Sequence, residues 1–225
     1  MQKTQIITAL IALLAPTLVA QSEVPRTAWE TLLQKPLPED AEPLITVLSL
    51  PIGPASPGPR AAATGHTHAG PVFAYILEGE IDNQVEPDPP QIYKPGEFFY
   101  EAPMHVHKFL RNRSATEPAK VIVFQAGKTG TAAPVIKVLL QQAIPNAANQ
   151  QLSLSRLTLP PGAFSATGAH SNPAVVYVLQ GKIEGAHPAG DVFAIPPETS
   201  GFSLKNASAS EPARLLVYEV TTAAP

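Results

Sequence analysis

Cysteine is absent from all 225 residues. That excludes disulfides, thiolate nucleophiles and thiolate metal ligation. Charge is sparse as well: Asp, Glu, Lys and Arg make up 15% of the chain and the formal net charge is −3. Such a balance gives no electrostatic reason to expect nucleic acid or an anionic membrane surface as partner. Beyond the first 20 residues no run is long and apolar enough to span a bilayer as a helix. No Ser-His-Asp order and no Gly-rich phosphate loop can be traced. The single tryptophan, Trp29, reads as an anchoring core residue.

Proline, by contrast, is abundant at 26 residues, and hydrophobic residues reach 44%. The prolines argue against long helices and for short elements joined by turns, around a core large enough for one domain or two of about 100 residues. Residues 1–20 have the form of a secretory signal: Lys3, an apolar run from Ile6 to Leu14, Pro16, and Ala20 to cut after. Cleavage would leave a secreted or periplasmic chain without membrane attachment. The alternative is an uncleaved apolar anchor.

The chain contains itself twice. NRSATEPAKVIVF at 112–124 answers NASASEPARLLVY at 206–218, an offset of 94. AYILEGEI at 74–81 answers VYVLQGKI at 176–183 at an offset of 102, and LSLPIG at 48–53 answers LTLPPG at 157–162 at 109. Three collinear matches with loop-sized changes between them define a duplicated domain. We place a signal at 1–20, an N-terminal extension at 21–44, repeat 1 at 45–127, a linker at 128–150 and repeat 2 at 151–222. Both repeats read as short strands, such as Phe73–Leu77 and Val175–Leu179, which predicts an all-β barrel or sandwich. Helix is expected only over Thr27–Gln34, with a turn or two near Val135–Gln142.

Four of the six histidines form two His-x-His pairs, His66/His68 and His105/His107. On a strand, residues two apart share a face, so each pair can aim two imidazoles at one point. Two such strands would supply three or four nitrogen ligands to a divalent transition metal: Fe, Mn, Ni, Cu or Zn. Both asparagines in Asn112-Arg-Ser114 and Asn206-Ala-Ser208 also match a glycosylation sequon, which matters only in a eukaryotic host.

At this point the pattern resembles the cupin superfamily. GHTHAGPVFAYILEGEI (65–81) is similar to its first motif and PGEFFYEAPMHVHKFLRN (95–112) to its second. The resemblance covers most of residues 45–222 and implies a bicupin: two tandem jelly-roll β-barrels with little helix, and a metal held by His66, His68 and His107. His107 falls one residue before the usual ligand position, taken here by Lys108. Val72 stands where the family places a glutamate ligand, which would leave the metal's charge unneutralised and favour an anionic chelating substrate. His105 is a candidate fourth ligand or pocket group, and His105 and Glu101 are the candidates for moving a proton. Phe73, Tyr75, Phe99 and Phe109 are expected to wall the pocket. In repeat 2 the ligand positions become Gly168, His170 and Gly201, a degenerate site, and His187 is expected to face solvent.

By resemblance the chain is expected to be an exported metal-dependent oxidoreductase of the dioxygenase type, acting on a small anionic or enolisable substrate. The alternative is a bicupin that binds a metal or small ligand without turnover. Whether the barrels pair within one chain or across a homodimer stays open.

Overall fold

A computed structural model describes residues 27–39, 41–54, 65–127, 136–145, 150–165, 168–170, 173–197 and 199–222. The expected signal at 1–20 lies outside them. The described residues form seventeen strands and no helix: β1 (Ala28–Pro36), β2 (Leu44–Ile52), β3 (Val72–Glu78), β4 (Ile81–Val85), β5 (Gln91–Tyr93), β6 (Phe98–Glu101), β7 (His107–Asn112), β8 (Ala119–Ala126), β9 (Lys137–Ala143), β10 (Gln150–Leu159), β11 (Gly168–His170), β12 (Ala174–Gln180), β13 (Lys182–Ile183), β14 (His187–Pro188), β15 (Val192–Ile195), β16 (Thr199–Phe202) and β17 (Ala213–Thr222).

Each repeat builds a five-stranded sheet, ordered β6-β3-β8-β2-β9 in the first and β15-β12-β17-β10-β1 in the second. The central strands are apolar on both faces because they serve two cores. Along β3, Val72, Ala74 and Ile76 point into the first barrel, whose far wall is the β5-β4-β7 sheet carrying Ile81 and Leu110. Phe73 and Tyr75 point the other way, into a core shared by both repeats. β17 does the same in the second repeat, with Leu215 and Val217 inside its barrel and Leu216 and Tyr218 in the shared core. This period-2 division gives three layers: barrel, interface and barrel. At the interface Tyr218 packs edge-on against Phe73 and stacks on Phe124, with ring centroids 5.2 and 5.3 Å apart.

The outer strands are exchanged. β1 precedes repeat 1 yet pairs with β10 of repeat 2, while β9 precedes repeat 2 yet pairs with β2 of repeat 1. Here the expected helix at Thr27–Gln34 and the helical turns near Val135–Gln142 are overturned. Among the described residues the two segments carry β1 and β9, strands interrupted by a bulge at Leu32 and at Leu139. A bulge turns two consecutive residues toward one side, so the adjacent leucines 32–33 and 139–140 all pack on the shared core. That adjacency breaks strand alternation and imitates a helical stripe.

The motif repeated at an offset of 94 builds the same loop twice. Asn112 Nδ2 donates to the carbonyls of Ile52, Gly53 and Glu117, and its Oδ1 accepts from Ser114 N–H. Asn206 does likewise with Leu159, Pro160, Glu211 and Ser208. Both asparagines are buried, so these amides tie loops to barrels.

Candidate metal centre

Local backbone geometry explains how the first His pair reaches the second. Gly65 has φ +68°, a left-handed conformation that glycine adopts without steric cost. It delivers His66 into an isolated bridge with His107, whose two backbone bonds measure 3.1 and 2.7 Å. A Cβ at Gly70 would stand 2.0 Å from the carbonyl oxygen of Ala126, so only glycine lets the chain pass from His68 into β3. Three imidazoles then converge: one ligand atom from each of His66, His68 and His107 lies within 4.8 Å of the others.

The fourth member comes from the neighbouring strand. In the β3–β6 ladder Val72 is directly opposite Glu101, and paired residues share a face. Glu101 therefore enters the barrel beside the position that Val72 leaves without a carboxylate. The nearest approaches run from His66 Nε2 to His68 Nε2 at 3.1 Å, from His68 Nε2 to Glu101 Oε2 at 3.0 Å, and from Glu101 Oε2 to His107 Nδ1 at 3.3 Å. Donors bound at about 2.1 Å to one ion stand about 3.0 Å apart in cis-octahedral and about 3.4 Å apart in tetrahedral coordination. These three separations fall in that range, and the histidine atoms as a set lie within 4.8 Å of one another.

Hydrogen bonding fixes which His107 nitrogen faces the centre. Nε2 lies 3.0 Å from the Phe109 carbonyl oxygen and 2.7 Å from Asn83 Oδ1. A backbone carbonyl can only accept, so Nε2 carries the proton and neutral Nδ1 presents a lone pair. That lone pair meets the Glu101 carboxylate in a buried site, and neither Nδ1 nor Oε2 has an aligned hydrogen bond, despite the short distances. Two acceptors held face to face repel unless a cation lies between them. Burial, reinforced by His68 and opposed by Glu101, holds the His107 pKa below the ordinary imidazole value. Burial pushes Glu101 up, but the close approach of His68 and the positive charge the surrounding imidazoles carry when protonated outweigh that and hold it below the usual carboxylate range. His66 and His68 are only half-buried, so the centre opens on their side.

Several expectations change here. His105 turns away: its Nδ1 bonds the Glu86 carbonyl oxygen at 2.9 Å in an exposed position, so it stands outside the cluster. Lys108, at the family's usual ligand position, pairs with Glu86 at the surface at 2.9 Å, leaving His107 to point inward. Glu101 joins the imidazoles, so the centre does not lack a carboxylate. Of the expected pocket walls only Phe99 lines this barrel, its ring 6.5 Å from that of His107. Phe73 and Tyr75 face the other repeat, and Phe109 packs under Arg111 at 3.9 Å. Asn83 was missed, because a buried asparagine on a neighbouring strand leaves no local motif. His187 bonds Asp191 at 2.7 Å and stacks on Phe193, so it is partnered rather than simply solvated.

Residues 56–125 match the cupin domain family. Among solved structures, the bacterial pirin YhhW of Escherichia coli, in complex with nickel(II), is 18% identical, covers 80% of this chain and 83% of its own, and superposes with a TM-score of 0.57. A Bacillus subtilis oxalate decarboxylase with Mn(II) centres is 15% identical over 88% of this chain and 74% of its own, at a TM-score of 0.56. A salicylate 1,2-dioxygenase from Pseudaminobacter salicylatoxidans is 15% identical over 79% and 71%, at 0.54. At these identities the likeness is one of fold. No curated protein matches the sequence.

Proposed function

From a first repeat that is a cupin domain and a chain that folds as two tandem jelly-roll barrels, we propose an exported metal-dependent oxidoreductase, most like a dioxygenase, acting on a small anionic or enolisable substrate. The observation that carries this reading is the buried approach of the His107 Nδ1 lone pair to the Glu101 carboxylate at 3.3 Å, which a shared cation would relieve. In this reading His66, His68, His107 and Glu101 hold the ion. A divalent metal so bound would retain one formal positive charge and open positions for an anionic substrate and dioxygen.

The chain's own residues set the conditions of that chemistry. Asn83 and the Phe109 carbonyl fix the His107 tautomer. Phe99 and Val72 keep the buried side apolar, while half-buried His66 and His68 mark the side from which substrate enters. Glu101 takes the role of ligand rather than proton carrier, since its facing oxygen is committed to the cluster. His105, bonded to Glu86 at the surface, is too exposed to serve the buried side. In the oxidation proposed, dioxygen is the oxidant and both its atoms enter the product as a carbon–carbon bond breaks.

The test is oxygen uptake by the metal-loaded protein offered salicylate, a 1,3-diketone and a flavonol, with oxalate added to detect decarboxylation as CO2. Uptake that depends on metal and disappears in His107→Ala is the expected result. Bound metal without turnover on any of them would favour the second reading, a metal-binding bicupin. Export rests on the N-terminal sequence pattern and is tested by following the mature N-terminus in the secreted or periplasmic fraction.

A further inference from the structure

A concavity lies between the repeats, a cleft of about 680 Å³. That is within the roughly 300–1,000 Å³ typical of small-molecule sites. It is distinct from the metal centre, because Tyr75 leaves β3 on the face opposite Val72, toward the other repeat. Its lining is built from equivalent positions of the two copies: Tyr75 with Tyr177, Glu78 with Gln180, and Lys120 with Arg214. The cleft therefore sits where the duplication places matching groups on either side.

The chemistry of that lining is cationic. Lys120, Arg156 and Arg214 face it against one carboxylate, Glu78. Arg156 is engaged by Glu30 at 2.9 Å, but Lys120 and Arg214 form no ion pair among the described residues. Tyr75 and Tyr177 are buried, yet their hydroxyls bond no other described residue. Burial, then Glu78, raises the Tyr177 pKa, so this hydroxyl stays a donor at neutral pH. Two duplicated cations and two duplicated hydroxyl donors make a site with two anion-binding ends.

We propose that the cleft between the repeats binds a small linear dicarboxylate, one carboxylate at Lys120 and the other at Arg214. The substitution of Glu78 by Gln180 in the second copy leaves a single carboxylate in the lining. This binding is independent of the metal centre.

The test is calorimetric titration of metal-free protein with succinate, glutarate and adipate, with acetate at matched ionic strength as the control. Saturable binding of one dicarboxylate per chain, strongest at one chain length, is expected. It should persist in His107→Ala and weaken about tenfold or more in Lys120→Gln/Arg214→Gln. Both substituted side chains are at least partly solvent-exposed, and near-UV circular dichroism checks that the double variant keeps its fold. Absence of saturable binding by all three acids, binding unchanged in the double variant, or binding lost in His107→Ala would each overturn the proposal.

Discussion

Asn83 is buried and accepts a hydrogen bond from the protonated nitrogen of His107. Replacing it by leucine leaves the donors in place but loosens the tautomer and the ring. Metal affinity should fall about 10–100-fold, read by chelator competition. Protons compete with metal for imidazole, so occupancy should hold at neutral pH and fall as pH drops through the imidazole range. Burial keeps His107 neutral to lower pH than an exposed histidine, placing its own loss at the acid end. Elemental analysis after dialysis at stepped pH checks the sign, and occupancy that rises with acid would contradict it. Tyr218 offers a control on packing. Its hydroxyl is buried without a partner among the described residues, and burial, then Tyr100, raises its pKa well above the ordinary value. Tyr218→Phe should therefore leave stability unchanged or raise it by up to about 1 kcal/mol. Tyr218→Ala, which removes the ring between Phe73 and Phe124, should cost about 3–5 kcal/mol in urea unfolding.

At the scale of elements, what could be read in the sequence was what repeats locally. The Asn-x-Ser…Glu-Pro-Ala segments announced the duplication because each must close the same loop with the same amide and hydroxyl bonds. His-x-His announced convergence because strand periodicity is local. Glu101 was legible as a candidate but not as a partner of the histidines. Its direction depends on a ladder with Val72, and Ala102-Pro103 obscures the strand that carries it. The two exchanged strands were unreadable for a related reason: bulges placed leucines side by side, and their partners lie in the other repeat. β1 is an edge strand that covers β10. Deleting residues 27–36 should expose β10's outer backbone groups and remove Leu32 and Leu33 from the shared core. The expected outcome is a lower thermal midpoint with concentration-dependent association in size-exclusion chromatography. An unchanged melt would show that the exchange is incidental.

Across the whole molecule, duplication separated two roles. The first barrel keeps converging histidines, while the second has Gly168 and Gly201 at equivalent positions and supplies half of the shared core. The exchanged strands and the Phe73–Tyr218–Phe124 contacts hold the barrels as a pair within one chain. On this account one chain carries one metal. The most direct test is elemental analysis of the untagged protein beside His107→Ala and Glu101→Gln. The account predicts close to one transition-metal ion per chain in the parent, none retained in His107→Ala, and weakened retention in Glu101→Gln. No metal in the parent, even after reconstitution with Mn, Fe, Ni, Cu or Zn, would contradict it.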